Sequence, residues 1–576
     1  MSDIESAHED EDIVHDTSEE SVAESDSEDE YEEPSSSDSD DDDNADQDVN
    51  GLWLPILGED PGPNPIGFTA VPGPKHPPPQ DSEPIDYVNL FFPPAFVDGI
   101  VEETNTYTQQ WINGHHDYLH RKPTSIVHQW IKKGPTTPEE FRAFLGVTFN
   151  MGLIRKTTIS SYWDSCRPSQ KTPWFLEHFS RDRFQLLMKF LHFNNNQLQP
   201  PPGNPAHKLY KIQPLIDHFT REFLRYYHPD ADISIDESMV GYKGKTPHLR
   251  QFMPLKRHAR FGIKLWCVCD ALNGYTSFFE VYKGKNPAAP VDPQGSTYTL
   301  VMRLLTACNF FNRGHHLGID NYFSSPQLFL DLYQQGTTAT GTVRANRRGL
   351  PRAALNQRLQ NHQVAERRKG NLLCVVYKDG GKKPVLLTTA VSAGFQELEN
   401  RRRQQVMKPK CVVKYNKTMG GVDLSDARLY VYLSERRTMK WSLKVAFSLF
   451  GRAVLNAYII YDKNTSDRPK LTRYHFMVKV VDGLAGNYYP PKVVRRRRTA
   501  AEIQAARENP PLQVPPAQPA QPQPGPAGDA HDLRRLPVGK KRDCVAGHNK
   551  RVRSAWECPV CDIGLCPGCF AKHHRR

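Results

Sequence analysis

"ISIDESMVGYKG" (residues 233–244) carries an apolar alternation, Ile233 and Ile235, that ends in two acids and then in a glycine- and lysine-containing turn. The alternation predicts a short strand, and because successive side chains leave a strand on opposite faces, Glu237 is expected to point away from Asp236. Asp236 has two readings at this point: a metal-binding carboxylate, or the polar end of a buried strand. The residues that follow decide the fold class. "FGIKLWCVCDALNGYTSFFEVYKG" alternates along two strands around Asn273-Gly274, a hairpin signal in which both turn positions need positive φ. "STYTLVMRLLTACNFF" predicts a helix, "HHLGID" a buried strand ending in Asp320, "SSPQLFLDLYQQG" a capped helix stopped by Gly336, and "TATGTVR" a further strand. The order strand, hairpin, helix, strand, helix, strand over 231–345 is that of a mixed α/β domain.

Acids at the ends of neighbouring strands converge without being close in sequence. Two-metal phosphoryl transfer needs such a set, because hard divalent ions prefer oxygen ligands and a few carboxylates must share them. Asp236 and Asp320 meet the description, and "GGVDLSD" adds Asp423 and Asp426, three apart and expected on one helix face. Each has a plainer reading: an Asp after a strand is often a turn residue or a helix cap, and Asp423 is placed to cap a helix after Gly420-Gly421.

Charge divides the 576-residue chain. Residues 1–50 hold 23 Asp and Glu and no Lys or Arg, which leaves 74 bases against 42 acids, a net of +32, on the remainder. The acidic, Ser-rich head is expected to be disordered, since it repels itself and has little apolar surface to bury. A body this basic suits a polyanion such as nucleic acid, with a solvated surface as the alternative. No apolar run of about 18 residues and no basic-then-apolar start is found, so neither a membrane span nor a signal peptide is expected.

Residues 51–85 are proline-rich and read as a linker with an anchoring patch at Trp53–Leu57. From 86 to 230 the pattern is helical: Thr137 caps a helix with Pro138 at its first position and Glu139 and Glu140 in its first turn, and Ser180 caps another. Residues 346–408 break the α/β rhythm and read as an insertion. A second helical region begins near 420, and 505–532 is a Pro/Gln-rich linker. "GTVRANRRGLP" sets Arg344, Arg347 and Arg348 after a strand, where guanidinium groups suit phosphate clamping; a solvated loop is the alternative. The clusters Arg495–Arg498 and Lys540–Arg542 read as nuclear localisation signals or phosphate-binding tails.

Five of the eleven cysteines fall in the last 33 residues. Cys558-Pro-Val-Cys561 and Cys566-Pro-Gly-Cys569 have the gap with which paired thiolates grip a tetrahedral Zn²⁺. With Cys544, His548, His573 and His574 there are eight candidates, enough for two interleaved sites in a module too small to hold itself together without metal. A RING-type ubiquitin ligase module is the rival reading, and it leaves the upstream acids unexplained.

The stretches "SIDESMVGYKGKTPHLRQFMPLKRHARFGIKLWCVCD", "GIDNYFSS", "GTVRANRRGLP", "YNKTMGGVDLSDARLYVY" and "RRTMKWSLKVAFSLFGRAVLNAYIIY", in this order, resemble the piggyBac-type DDE transposases and the proteins derived from them, over roughly 86–465 plus the terminal module. The resemblance implies a ribonuclease H-like catalytic core with Asp236, Asp320 and Asp423 as its three acids, Asp426 as a further one, and two Mg²⁺. It implies a disordered tail (1–50), a linker (51–85), a discontinuous helical dimerisation and DNA-binding domain (86–230 and 433–500), a catalytic core (231–345 and 409–432) around an insertion (346–408), a linker with basic clusters (501–540), and a cross-brace module with two Zn²⁺ (541–576). In the family that module reads transposon-end DNA. Here its first ligand pair departs from the usual Cys pair, since three residues separate Cys544 from His548; His574 fits the family spacing better than His573. Implied further are a nuclear homodimer on double-stranded DNA, hairpin intermediates and TTAA targets. The alternative is a domesticated DNA-binding protein without transposition. Paired carboxylates also serve glycoside hydrolases, but the basic body and the zinc-type module set that reading far behind.

Overall fold

The computed structural model describes residues 53–244, 246, 249–254, 256, 259–284, 293–399, 403–434, 440–465, 469–486, 488, 534–536, 542–544, 553–558 and 563–564. The expected acidic tail, most of the 501–540 linker, both basic clusters but for Arg542, and most of the zinc module lie outside these residues. The chain forms two compact units, Met1–Lys492 and Val493–Arg576.

The first unit opens with strands β1 (Leu54–Pro55) and β2 (Gly73–Pro74), then helices α1 (Pro84–Asn89), α2 (Pro94–Gly114), α3 (His116–Arg121), α4 (Val127–Lys133), α5 (Pro138–Leu153), α6 (Pro173–His178), α7 (Arg181–Phe190) and α8 (Gln213–Tyr226). The mixed region holds β3 (Tyr227–His228), β4 (Asp232–Gly241), β5 (Arg250–Phe252), β6 (Phe261–Asp270), β7 (Thr276–Val281), α9 (Ser296–Cys308), β8 (His316–Ile319), α10 (Pro326–Gln334) and β9 (Thr338–Val343). After it come α11 (Arg352–Asn356), β10 (Val364–Lys369), β11 (Leu372–Tyr377), β12 (Val385–Thr388), β13 (Phe395–Glu399), β14 (Gln405–Pro409), α12 (Lys410–Thr418), α13 (Gly421–Tyr432), α14 (Trp441–Asn464) and α15 (Arg473–Ala485). The helix starts follow their caps: Thr137 and Ser180 accept from Glu140 N (3.2 Å) and Arg183 N (3.3 Å).

A ten-stranded sheet runs β1-β10-β11-β12-β9-β8-β4-β6-β5, with β7 also on β6. β4 is its pivot, antiparallel to β6 and parallel to β8. Within residues 346–408, expected as an insertion, β10, β11 and β12 extend the main sheet through the pairing of β12 with β9, and β13 and β14 form a two-stranded sheet of their own. The Asn273-Gly274 expectation is corrected in detail. Gly274 has φ +73, whereas Asn273 is not among the positive-φ residues. The loop spans five residues, closed by Gly274 N donating to Asp270 O (2.9 Å) and by the Asn273 side chain donating to Tyr227 Oη (2.6 Å).

Ile233, Ile235, Trp266, Val268, Leu317 and Ile319 bury one face of the sheet against α9 and α10. On the opposite face Cys267, Cys269 and Val240 join a core built from α1, α2, α5, α7 and α8 together with α14 and α15, so helices from both ends of the unit share one interior. α14 is long and apolar enough by length and composition to cross a membrane (mean hydropathy 1.4), and 78% of that stretch is buried as the centre of this core.

Residues 53–83 run over the sheet as a strap. Trp53 Nε1 donates to Gly349 O (2.9 Å), Asp60 and Arg368 form a buried ion pair (2.5 Å), Tyr333 Oη donates to Asn64 O (2.7 Å), and β2 pairs with β3. Proline-rich composition made this stretch read as a linker; its holding contacts are to residues hundreds of positions away. In the second unit, Arg534–Arg535, Trp556–Cys558 and Ile563–Gly564 form one small antiparallel sheet, and Arg542–Asp543 pairs with Arg553–Ser554.

Candidate active site

β4 and β8 pair in parallel through Asp232↔His316, Ile233↔Leu317 and Ser234↔Gly318. Beyond the last of these pairs stand Asp236, still on β4, and Asp320, the residue that follows β8. β4 runs on past the short strand expected from sequence, so Asp236 lies in mid-strand with Ser238 and Val240 buried beyond it; it is 7% exposed, and its Oδ1 accepts from Glu237 N (2.8 Å). Burial first, then the charge of Glu237, pushes its carboxyl up to about 9, with Asp320 adding to the rise. Asp320 follows β8, and its Oδ1 closes a turn with Tyr322 N (3.0 Å). Burial and Glu237 raise its pKa too, while Arg344 opposes. The turn role read from sequence is therefore present at Asp320, and it occupies one oxygen.

The third acid arrives from α13, laid across this face. Added Cβ atoms show how close the approach is: one on Gly421 would meet Ser234 Oγ at 2.5 Å, and one on Gly318 would meet Thr418 C at 2.9 Å. Asp423 does not cap α13, whose N-cap is Gly420 with no side-chain cap bond. Its carboxylate, 68% exposed, accepts from Lys256 Nζ (3.1 Å) instead. Asp426, three residues on, lies deeper in the packing. It is buried, and its Oδ1 is bound by Arg452 Nη2 (2.7 Å) and Ser238 Oγ (2.7 Å), while Oδ2 has no hydrogen-bond partner. The two acids differ in burial and partner: Asp423 is exposed and paired with Lys256, and Asp426 is buried and paired with Arg452.

Two residues that sequence reading passed over tie the acids together. Lys256 feels the charges of Asp236, Asp423 and Asp426, which outweigh burial and raise its pKa. Tyr415, on α12, is raised by burial and by the charges of Asp320, Asp236 and Asp423 at once. All three strand-end and helix acids thus share one electrostatic neighbourhood. Both residues lie inside stretches that carried the resemblance, but nothing local to their sequence marked them. Glu237 lies on the opposite face, across from Trp266, as the alternation requires. Its charge nonetheless reaches both Asp236 and Asp320.

The arginine loop adjoins Asp320. Arg347 Nη2 donates to Tyr322 O (2.7 Å), fixing the loop to the turn after Asp320, and Arg344 and Arg348 are exposed beside it. Hard oxygen donors crowded until one carboxyl holds its proton, with an orphaned Asp426 oxygen nearby, suit a divalent cation. Among the described residues no group of three His, Cys, Asp or Glu stands close enough to hold an ion by itself. Of the expected zinc ligands, Cys544 is half-buried and Cys558 ends a short strand; His548, Cys561, Cys566, Cys569, His573 and His574 lie outside the described residues.

The family described as Transposase IS4 matches residues 83–458. Human PiggyBac transposable element-derived protein 3 is 26% identical over 456 residues, 76% of this chain and 70% of that protein. Human PiggyBac transposable element-derived protein 2 is 25% identical over 403 residues, 66% of this chain and 62% of that one. In fold, the chain is similar to the piggyBac transposase of a cryo-EM synaptic complex with hairpin DNA, at a TM-score of 0.63 and 22% identity, covering 87% of this chain and 100% of that chain.

Proposed function

Since the chain belongs to the piggyBac-type transposases, in the family Transposase IS4, we propose that it is a cut-and-paste DNA transposase whose ribonuclease H-like core cleaves and joins DNA strands at Asp236, Asp320 and Asp423. The observation that carries this reading is the convergence of three acids, from β4, the end of β8 and α13, on one neighbourhood centred on Lys256 and Tyr415.

Asp236, Asp320 and Asp423 are the residues that would hold two Mg²⁺. Bound there, the metal supplies an activated water and stabilisation of the leaving oxygen. The chain's own groups do the rest. Burial of Asp236 strengthens the charge interactions around it, while Asp423 stands open to solvent. Arg344 and Arg348, on the loop that Arg347 pins to Tyr322, receive backbone phosphates. A water frees a 3′ hydroxyl at each transposon end, the hydroxyl attacks the opposite strand to close a hairpin, and the reopened end joins a TTAA target; these last steps rest on family likeness. Likeness also supports a nuclear homodimer and a terminal module holding two Zn²⁺ through Cys544, His548, Cys558, Cys561, Cys566, Cys569 and His573 or His574, which reads the transposon ends.

A cell-based excision assay on a donor carrying candidate ends tests the reading. Asp236→Asn, Asp320→Asn and Asp423→Asn are each expected to lower excision at least about 100-fold while end binding persists. Equal excision by all three variants would overturn the site. A second reading, a domesticated DNA-binding protein, draws support from Asp426, whose charge is spent on Arg452, and from the element-derived relatives; end binding without any cleavage by the wild type would favour it.

A further inference from the structure

Lys256 sits on the connection between β5 and β6, in a turn closed by Lys256 N donating to Met253 O (3.1 Å) and Ala259 N to Lys256 O (3.0 Å). Its pair with Asp423 is not an ordinary surface salt bridge. The lysine side chain is 16% exposed and the aspartate 68%, so the ammonium is the member driven inward. From there it bonds Asp423 and feels the charges of Asp236 on β4 and Asp426 on α13. Asp426 is already neutralised by Arg452. Lys256 is bonded to Asp423, and its charge opposes the rise at Asp236.

Resting on the proposed active site, we infer that Lys256 is an internal counter-ion of the acid cluster, which a divalent cation must displace from Asp423 in order to bind. An ammonium and a metal ion seek the same oxygens, and Asp423 Oδ1 cannot serve both at full strength. Without metal, Lys256 ties the connection between β5 and β6 to α13 through Asp423. With metal, it is released on a flexible stem at the rim of the site, on a connection rather than a regular element, where the phosphate of an incoming strand is the nearest new anion for it.

Mn²⁺ titration of the full-length chain by calorimetry tests this, with wild type beside K256M, K256Q, K256R and D236N. Loss of the competing charge is expected to tighten Mn²⁺ binding about tenfold in K256M and K256Q, a change of the size set by one unit charge at a few ångströms in partly screened surroundings. K256R should match wild type. In parallel thermal melts, the metal-free midpoint of K256M and K256Q should fall below wild type and recover on adding Mn²⁺. Equal or weaker Mn²⁺ binding by both neutral variants overturns the counter-ion role while D236N-sensitive uptake leaves the active site standing. Absence of any D236N-sensitive uptake in the wild type overturns both.

Discussion

At the scale of single residues, Arg452 governs what Asp426 can do. It is wholly buried in α14, donates to the Asp426 carboxylate at 2.7 Å, and also reaches Ser238 and Ser425. A buried pair of this kind is costly to break from one side, because the remaining charge is left uncompensated in a poorly polarisable surrounding. Arg452→Met is therefore expected to destabilise the protein by about 3 kcal/mol, and adding Asp426→Asn should return part of that loss. Denaturant melts of the two single variants and the double variant check it; additive losses would show that the two side chains act independently. The acids were legible in the sequence because each closes an apolar run or opens a helix. Arg452 and Lys256 were not: an arginine inside "FSLFGRAVLNAY" and a lysine inside a turn acquire their roles only from partners 26 and 167 positions away.

At the scale of elements, α13 positions Asp423, and its approach to the sheet depends on a residue with no side chain. Gly421→Ala would drive a methyl to 2.5 Å from Ser234 Oγ and 3.0 Å from Asp270 O, so the helix start must lift. Excision is expected to fall at least about tenfold, beyond what the thermal midpoint loses, because a displacement near 1 Å at a reacting group costs far more rate than stability; an unchanged rate would mean that α13 tolerates the shift. In the helical body, α5 and α7 are locked by Glu140 and Arg183, whose bonds (2.8 and 2.6 Å) are joined by donors from Tyr488 (2.7 Å) and Thr136 (2.8 Å). Burial alone would raise the Glu140 pKa, but the Arg183 bonds outweigh it and hold the carboxyl below its usual value. A depressed folded pKa contributes stability that is present above the unfolded value and lost as pH falls through the folded one. Glu140→Gln should cost about 3 kcal/mol at pH 7, with the gap to wild type narrowing below about pH 4; a gap constant from pH 7 to pH 3 would contradict the assignment. The elements themselves were legible where caps and periodicity act locally, as at Thr137, Ser180 and the strand order over 231–345. Of the strap at 53–83 only the anchoring patch at Trp53–Leu57 was legible, and the continuation of the sheet through β10–β12 was not, since edge pairing such as β12 on β9 is decided by which strand is left open, and no local pattern records that.

At the scale of the whole first unit, the sheet acts as a partition. One face is sealed by α9 and α10, and the other receives α12, α13 and the helical body, so the chain returns from far downstream to deliver Asp423 beside Asp236. Closing the site thus requires both halves of the unit, and the family match over 83–458 spans both. The most direct measurement is strand nicking by the purified full-length chain on a labelled duplex bearing a transposon end, with Mg²⁺, with EDTA, and with Asp236→Asn in place of the wild type. The account predicts a nick that frees a 3′ hydroxyl at the transposon boundary with Mg²⁺, and none with EDTA or with the variant; nicking that survives either change would contradict it.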